Sequence, residues 1–137
     1  MTDDVKIICG ERTFLSDQKT LSLLPYFAAT FRSEMQENLT NEINLSHLDG
    51  DCIKIILESL QTGKVSTHRK NNIEMMQSLY TTSHYLQAER VESFALNTLR
   101  SLVDKKTAPK ILEFATDYNI ESLKWFVQNY IEQNKCK

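Results

Sequence analysis

The sequence predicts an α+β fold, in which a small β-sheet is flanked by a cluster of helices and a C-terminal helical pair follows. Apolar and polar residues alternate with period two near the amino terminus and again over Glu42–Leu45. From Asp49 onward, apolar residues recur with helical spacing instead. The chain has 137 residues, of which 41% are hydrophobic and 25% charged, so one compact domain can bury a core of its own.

The first seventeen residues predict a β-hairpin and the start of a helix. Val5 and Ile7 alternate with a lysine, and Gly10-Glu11 fits a two-residue turn before a second strand over Thr13–Leu15. Asp17 can then accept a hydrogen bond as the N-cap of a brief helix.

Two short helices and a third strand are predicted next. Pro25 fits the first turn of the second helix, where a missing N–H costs nothing. The apolar positions of the two helices are Leu21, Leu24, Phe27, Ala28 and Phe31. The alternation over Glu42–Leu45 then predicts a half-buried strand.

A long amphipathic helix follows. Asp49 is its predicted N-cap and Gly63 its C-terminal cap. Its apolar stripe is formed by Ile53, Ile56, Leu57 and Leu60. We expect Lys64–Ser66 to form an edge strand immediately afterwards.

The remaining sequence predicts helices only. Asn72 is the expected cap of the first, Thr107 with Pro109 starts the third, and Asn119 separates the third from the fourth. No sequence repeat with a period of 20 to 50 residues is evident.

Charge and hydropathy argue against nucleic acid and membranes as partners. The net charge is −2, so there is no overall field to attract an anionic polymer or lipid. Apolar runs such as Ile55–Leu57 are far shorter than the roughly 20 residues of a membrane span. The acidic start does not resemble a secretory signal. We therefore expect a protein of the cytoplasm, with the nucleus as a second location.

The patterns that carry catalysis are missing from the sequence. It has no glycine-rich phosphate loop, no paired histidines on one helix face and no nucleophile elbow. The three histidines lie apart and are interpreted as surface or structural residues: His47, His68 and His84. The three cysteines lack metal-binding spacing and are interpreted as reduced thiols: Cys9, Cys52 and Cys136. We expect no enzyme activity, no cofactor and no metal.

Amphipathic helices dominate instead, which favours protein–protein binding. Two readings remain open for the aromatic residues of the tail. Trp125, Phe126 and Tyr130 either pack on the preceding helices or face another chain.

Several short strings carry a family resemblance through their order and spacing. They include Thr62-Gly63-Lys64-Val65, Leu86-Gln87 with Val91, and Phe114-Ala115 with Tyr118. Together they resemble the BTB/POZ domain followed by the 3-box, the first helical pair of a BACK domain, as in BTB–BACK–Kelch proteins. The resemblance implies a BTB/POZ domain over residues 1–104 and a 3-box over residues 105–137.

The same resemblance implies a function. Ser33–Glu37 is similar to the hydrophobic-x-Glu element of family members that bind cullin-3, although it could also be an ordinary exposed turn. The chain would bind the cullin-3 N-terminal domain as a substrate-adaptor subunit of a ubiquitin ligase. A protein substrate would bind through a region outside this chain. The implied cullin-3-binding residues are Met35, Glu37, His84, Tyr85, Tyr118 and Asn119.

One departure from the family pattern affects the expected assembly. Dimeric members begin with a helix and strand that are exchanged between subunits, whereas only Met1–Asp3 precede the first hairpin here. We expect a monomer or an atypical weak dimer. Leu21, Leu23 and Leu24 are the candidates for self-association, because three leucines within four positions cannot all point into one core. The alternative function is a BTB scaffold for self-association or corepressor binding without cullin-3.

Overall fold

A computed structural model describes residues 4–33, 42–67 and 71–134, and these ranges contain a three-stranded sheet. Strands β1 (Asp4–Cys9) and β2 (Arg12–Asp17) form the predicted antiparallel hairpin, and β3 (Glu42–Asn44) lies parallel to β1. The order in the sheet is β2-β1-β3. Gly10 opens the hairpin turn with a φ of 63°, a conformation that glycine adopts at no steric cost.

The two faces of the sheet differ in exposure. Val5 and Ile7 of β1 are buried against the helices. Lys6, Thr13 and Leu15 lie on the opposite face and are exposed. The registers Lys6–Leu15 and Ile8–Thr13 place these side chains across the hairpin from one another. Within the described ranges, helices therefore cover one side of the sheet.

Two short helices follow the hairpin in the chain. They are α1 (Gln18–Leu21) and α2 (Pro25–Ser33). Asp17 caps α1 as predicted, because the Thr20 backbone N–H donates to its Oδ1 over 2.6 Å. This hydrogen bond, helped by the Thr20 hydroxyl, lowers the pKa of the Asp17 carboxyl.

Helix α3 (Gly50–Thr62) lies between the predicted caps. The Asp51 N–H donates to Asp49 Oδ1 over 2.9 Å, and Gly63 ends the helix with a φ of 77°. The prediction of an edge strand over Lys64–Ser66 is wrong, since this segment is irregular. A strand needs a neighbour to complete its hydrogen bonds, and no strand of the described residues pairs with it.

Two helical hairpins complete the fold. The first contains α4 (Ile73–Tyr85) and α5 (Glu89–Ser101), and the second contains α6 (Ala108–Asp117) and α7 (Glu121–Gln133). Each hairpin turns through a non-glycine residue of positive φ, Gln87 at 60° and Asn119 at 55°. The next residue then donates its N–H back into the preceding helix. Ala88 donates to Ser83 and Ile120 donates to Ala115, each over 2.8 Å.

The C-terminal helices α6 and α7 pack on the preceding helices. This packing agrees with the first of the two readings given above for the aromatic residues of these helices. Ile111, Leu123 and Val127 are fully buried and belong to the same apolar cluster as the sheet and α3. Phe126 and Tyr130 are partly buried against this cluster. Trp125 differs, because 66% of its surface is exposed.

Candidate protein-binding surface

An aromatic row runs across the corner where α4 ends. One half contains His47, Tyr85, Tyr26 and Phe27. The His47 and Tyr85 rings meet edge to face at 4.9 Å, and the Tyr85 and Tyr26 rings are 5.3 Å apart. Tyr26 meets Phe27 edge to face, also at 5.3 Å, and Phe27 is buried. Tyr85 is thus fixed by two neighbouring rings while 45% of its surface stays exposed.

The second half of the row contains His84, Tyr80, Phe114 and Tyr118. The His84 ring stacks on Tyr80 at 5.7 Å, and Tyr80 meets Phe114 edge to face at 5.8 Å. Phe114 lies 4.8 Å from Tyr118, which is 54% exposed. His84 and Tyr85 are consecutive residues, so the two halves of the row are joined at the end of α4 by the backbone, while the two side chains point in different directions.

Charges line one side of this corner. His84 Nδ1 lies 3.4 Å from Glu92 Oε1, and the His84 side chain is 68% exposed. Burial, and to a smaller degree the Glu92 carboxylate, raise the pKa of the Tyr80 hydroxyl. A cleft of about 550 Å³ opens beside His84, lined also by Pro25, Gln87, Glu89, Glu92 and Ser93.

The structure brings several of the predicted contact residues together. His84, Tyr85 and Tyr118 all belong to the aromatic row, and Asn119 follows Tyr118 at the exposed α6–α7 corner. Met35 and Glu37 lie outside the described residues.

The predicted self-association residues separate into two environments. Leu21 and Leu24 are buried in the core, whereas Leu23 between them is 66% exposed. Of these three leucines, only Leu23 has a side chain that is accessible at the surface.

The predicted contact residues did not include the other five members of the row: Tyr26, Phe27, His47, Tyr80 and Phe114. His47 was interpreted only as a surface or structural residue. A single sequence offers no signal that joins residues so far apart, since helix α3 and the loop before it lie between Tyr26 and Tyr85.

The residues that the structure describes contain no group of three histidines, cysteines or acids that could hold a metal ion. Cys9 and Cys52 are buried thiols. Burial raises the pKa of Cys9, whose Sγ donates to the Leu48 carbonyl over 3.0 Å. Over the same described ranges, no helix is both long and apolar enough to span a bilayer.

Comparison with known proteins identifies the family. The family model described as BTB/POZ domain matches residues 2–101. The chain belongs to the BTB/POZ family. BTB domains mediate protein–protein interactions, and the predicted α+β fold is confirmed.

Kelch-containing BTB proteins are similar over nearly the whole chain. Human Kelch repeat and BTB domain-containing protein 2 is 25% identical over 131 residues, which are 96% of this chain and 20% of that protein. Kelch repeat and BTB domain-containing protein 8 of Danio rerio is 22% identical over 134 residues, 97% of this chain and 22% of that protein. The chain thus spans about a fifth of the length of these curated relatives.

Solved BTB domains have the same fold. The BTB domain of zebrafish PATZ1 superposes with a TM-score of 0.59 at 19% identity, covering 73% of this chain and 76% of that one. The BTB domain of human Gigaxonin gives 0.57 at 13% identity, covering 70% and 76%. At these identities the similarity extends to the fold alone.

Proposed function

We propose that this BTB protein is a substrate-adaptor subunit that binds the N-terminal domain of cullin-3 in a ubiquitin ligase complex. The observation that carries the proposal is the aromatic row, because it unites His84, Tyr85 and Tyr118, which the family resemblance assigns to the cullin-3 contact. Ring contacts hold Tyr85 in place before binding, which lowers the entropy cost of using it as an anchor.

The remaining parts of the proposal have distinct roles. Met35 would fill an apolar pocket of the partner, and the Glu37 carboxylate would fix its orientation through charge-assisted hydrogen bonds. Residues 105–137 would act as a 3-box and extend the surface through Tyr118 and Asn119. The names of the relatives combine Kelch repeats with a BTB domain. We therefore propose that the protein substrate binds through a region outside this chain.

The test is a calorimetric titration with purified cullin-3 N-terminal domain. Tyr85→Ala and Met35→Ala should each weaken binding about thirtyfold, equivalent to roughly 2 kcal/mol. Trp125→Ala is the matched control, because it removes an exposed aromatic ring outside the row. Thermal unfolding of each variant checks that the fold persists.

Two results would count against the proposal in different ways. Absence of binding by the unmodified chain would reject cullin-3 as the partner. Unchanged affinity in both Tyr85→Ala and Met35→Ala would reject the site while leaving the partner in place.

One observation favours the alternative scaffold function. Leu23 is 66% exposed between two buried leucines, so it offers an apolar contact for self-association or a corepressor. A Leu23→Lys variant that loses corepressor binding, in a chain that does not bind cullin-3, would support this function.

A further inference from the structure

The outer edge of β2 is unprotected. β1 occupies one side of this strand, and no strand of the described residues pairs with the other side. In a hairpin closed by a two-residue turn, Cys9 and Arg12 form the final hydrogen-bonded pair. The backbone groups of Thr13 and Leu15 therefore point away from β1, where another strand can pair with them.

The side chains on this edge do not block such pairing. Exposed edges are commonly protected by lysine, proline or a bulge, yet the first two outward-facing positions hold Thr13 and Leu15, and the third, Asp17 at the end of the strand, caps α1. Leu15 is 67% exposed. The edge combines an apolar side chain with backbone groups ready to pair.

Helix α3 lies below this edge. A cleft of about 520 Å³ separates β2 from α3 and is lined by Arg12, Thr13, Phe14, Leu15, Lys54, Leu57, Glu58 and Gln61. Arg12 is held at one end by an ion pair with Asp51, 2.7 Å between Nη1 and Oδ1. Lys54 and Glu58 are both exposed and lie one helical turn apart along the cleft.

We propose that the occupant of this edge is a second copy of the chain, paired antiparallel through β2 about a two-fold axis. Such an axis runs perpendicular to the sheet, so both copies keep their helices on the same side. The two sheets would join into one of six strands, with Leu15 facing its own counterpart.

Charge complementarity favours this partner. The same axis places the two α3 helices antiparallel beneath the junction. The proposed register sets the axis midway between Lys54 and Glu58, which puts Lys54 of each copy opposite Glu58 of the other, so one surface supplies both members of two ion pairs. This surface is separate from the aromatic row, so the proposal does not depend on cullin-3.

The first test is sedimentation velocity of the full chain across a concentration series. A junction of one strand pair and one helix row is small, so the dimer should dissociate at about 10 to 100 µM. The mass should rise from 15.9 kDa toward twice that value. Leu15→Lys should prevent the rise, whereas Trp125→Lys, a change of the same kind at another exposed apolar residue, should not.

The second test uses the symmetry of the charges. Lys54→Glu and Glu58→Lys should each raise the dimer dissociation constant roughly tenfold, because each places like charges opposite one another. The double variant should regain the original affinity. A mixture of the two single variants should form a heterodimer more tightly than either variant pairs with itself.

Three results would overturn the proposal. The chain could remain at 15.9 kDa throughout the series. Leu23→Lys could dissolve the dimer while Leu15→Lys leaves it intact. The double variant and the mixture could both fail to recover affinity. If Leu15→Lys alters folding, the Lys54→Glu and Glu58→Lys variants test the proposed dimer independently of it.

Discussion

Leu123 of α7 tests whether the tail folds as one unit with the BTB core. Its side chain is fully buried, and the cluster that contains it also includes residues of β1, α3 and α5. Leucine-to-alanine changes at such sites remove buried surface and leave a cavity, at a cost of about 3 kcal/mol. For a domain of this size, that cost corresponds to a drop in Tm of roughly 10 °C. We expect Leu123→Ala to lower the midpoint of a single transition by this amount.

The assay compares two probes of thermal unfolding. The single tryptophan, Trp125, reports on α7, whereas far-ultraviolet circular dichroism reports on all helices. If the cluster unfolds cooperatively, both probes give the same midpoint before and after the substitution. Gln128→Ala is the control, since Gln128 is exposed on the same helix and its truncation should change the free energy of unfolding by less than about 0.5 kcal/mol.

One outcome would refute this reasoning. Leu123→Ala could shift the tryptophan transition to lower temperature and leave the dichroism midpoint of the other helices unchanged. Residues 105–137 would then unfold separately, and their deletion would leave residues 1–104 folded. In the cooperative case, that deletion exposes apolar surface of α4 and α5 and destabilises the remainder.

Three further predictions concern local structure. Gly63→Ala should cost about 1 kcal/mol in guanidinium unfolding, because alanine is strained at a φ of 77°, and a cost near zero would contradict this. Asn72→Ala should also cost about 1 kcal/mol, because Asn72 Oδ1 accepts from the Met75 N–H over 3.0 Å, whereas Asn72→Asp should retain most of the stability. The lowered pKa of Asp17 means that its stabilisation is present above its ordinary pKa, near 4, and is lost as the pH falls through the folded value. Asp17→Asn should therefore make the decline in Tm below about pH 4 less steep, and an identical decline in both proteins would exclude this role.

The accuracy of sequence prediction here depends on how local each feature is. The N-caps at Asp17, Asp49 and Asn72 were predicted correctly because the cap and its donor lie within three residues. The strand expected over Lys64–Ser66 failed because pairing requires a distant neighbour.

Prediction of the binding surface from the sequence is limited in the same way, because its contacts are not local. His84, Tyr85 and Tyr118 came from the family resemblance, and no local pattern places His47 against Tyr85. Ring contacts between separate elements depend on tertiary packing, which a single sequence does not specify. Phe114 could be recognised as part of the family resemblance, while the rings that it contacts, such as Tyr80, remained unknown.

The two corners at Gln87 and Asn119 have matching local structures. They lie thirty-two positions apart and have the same backbone conformation and hydrogen bonds. The same shift matches fully buried positions, pairing Leu79 with Ile111, Ser83 with Ala115, Val91 with Leu123 and Ala95 with Val127. These four pairs preserve size and burial without identity, whereas three other pairs at the same shift are identical: Glu89 and Glu121, Phe94 and Phe126, and Asn97 and Asn129. A partner that recognises the backbone shape of one corner would meet that shape again at the other, and only the side chains would tell it which corner it had reached.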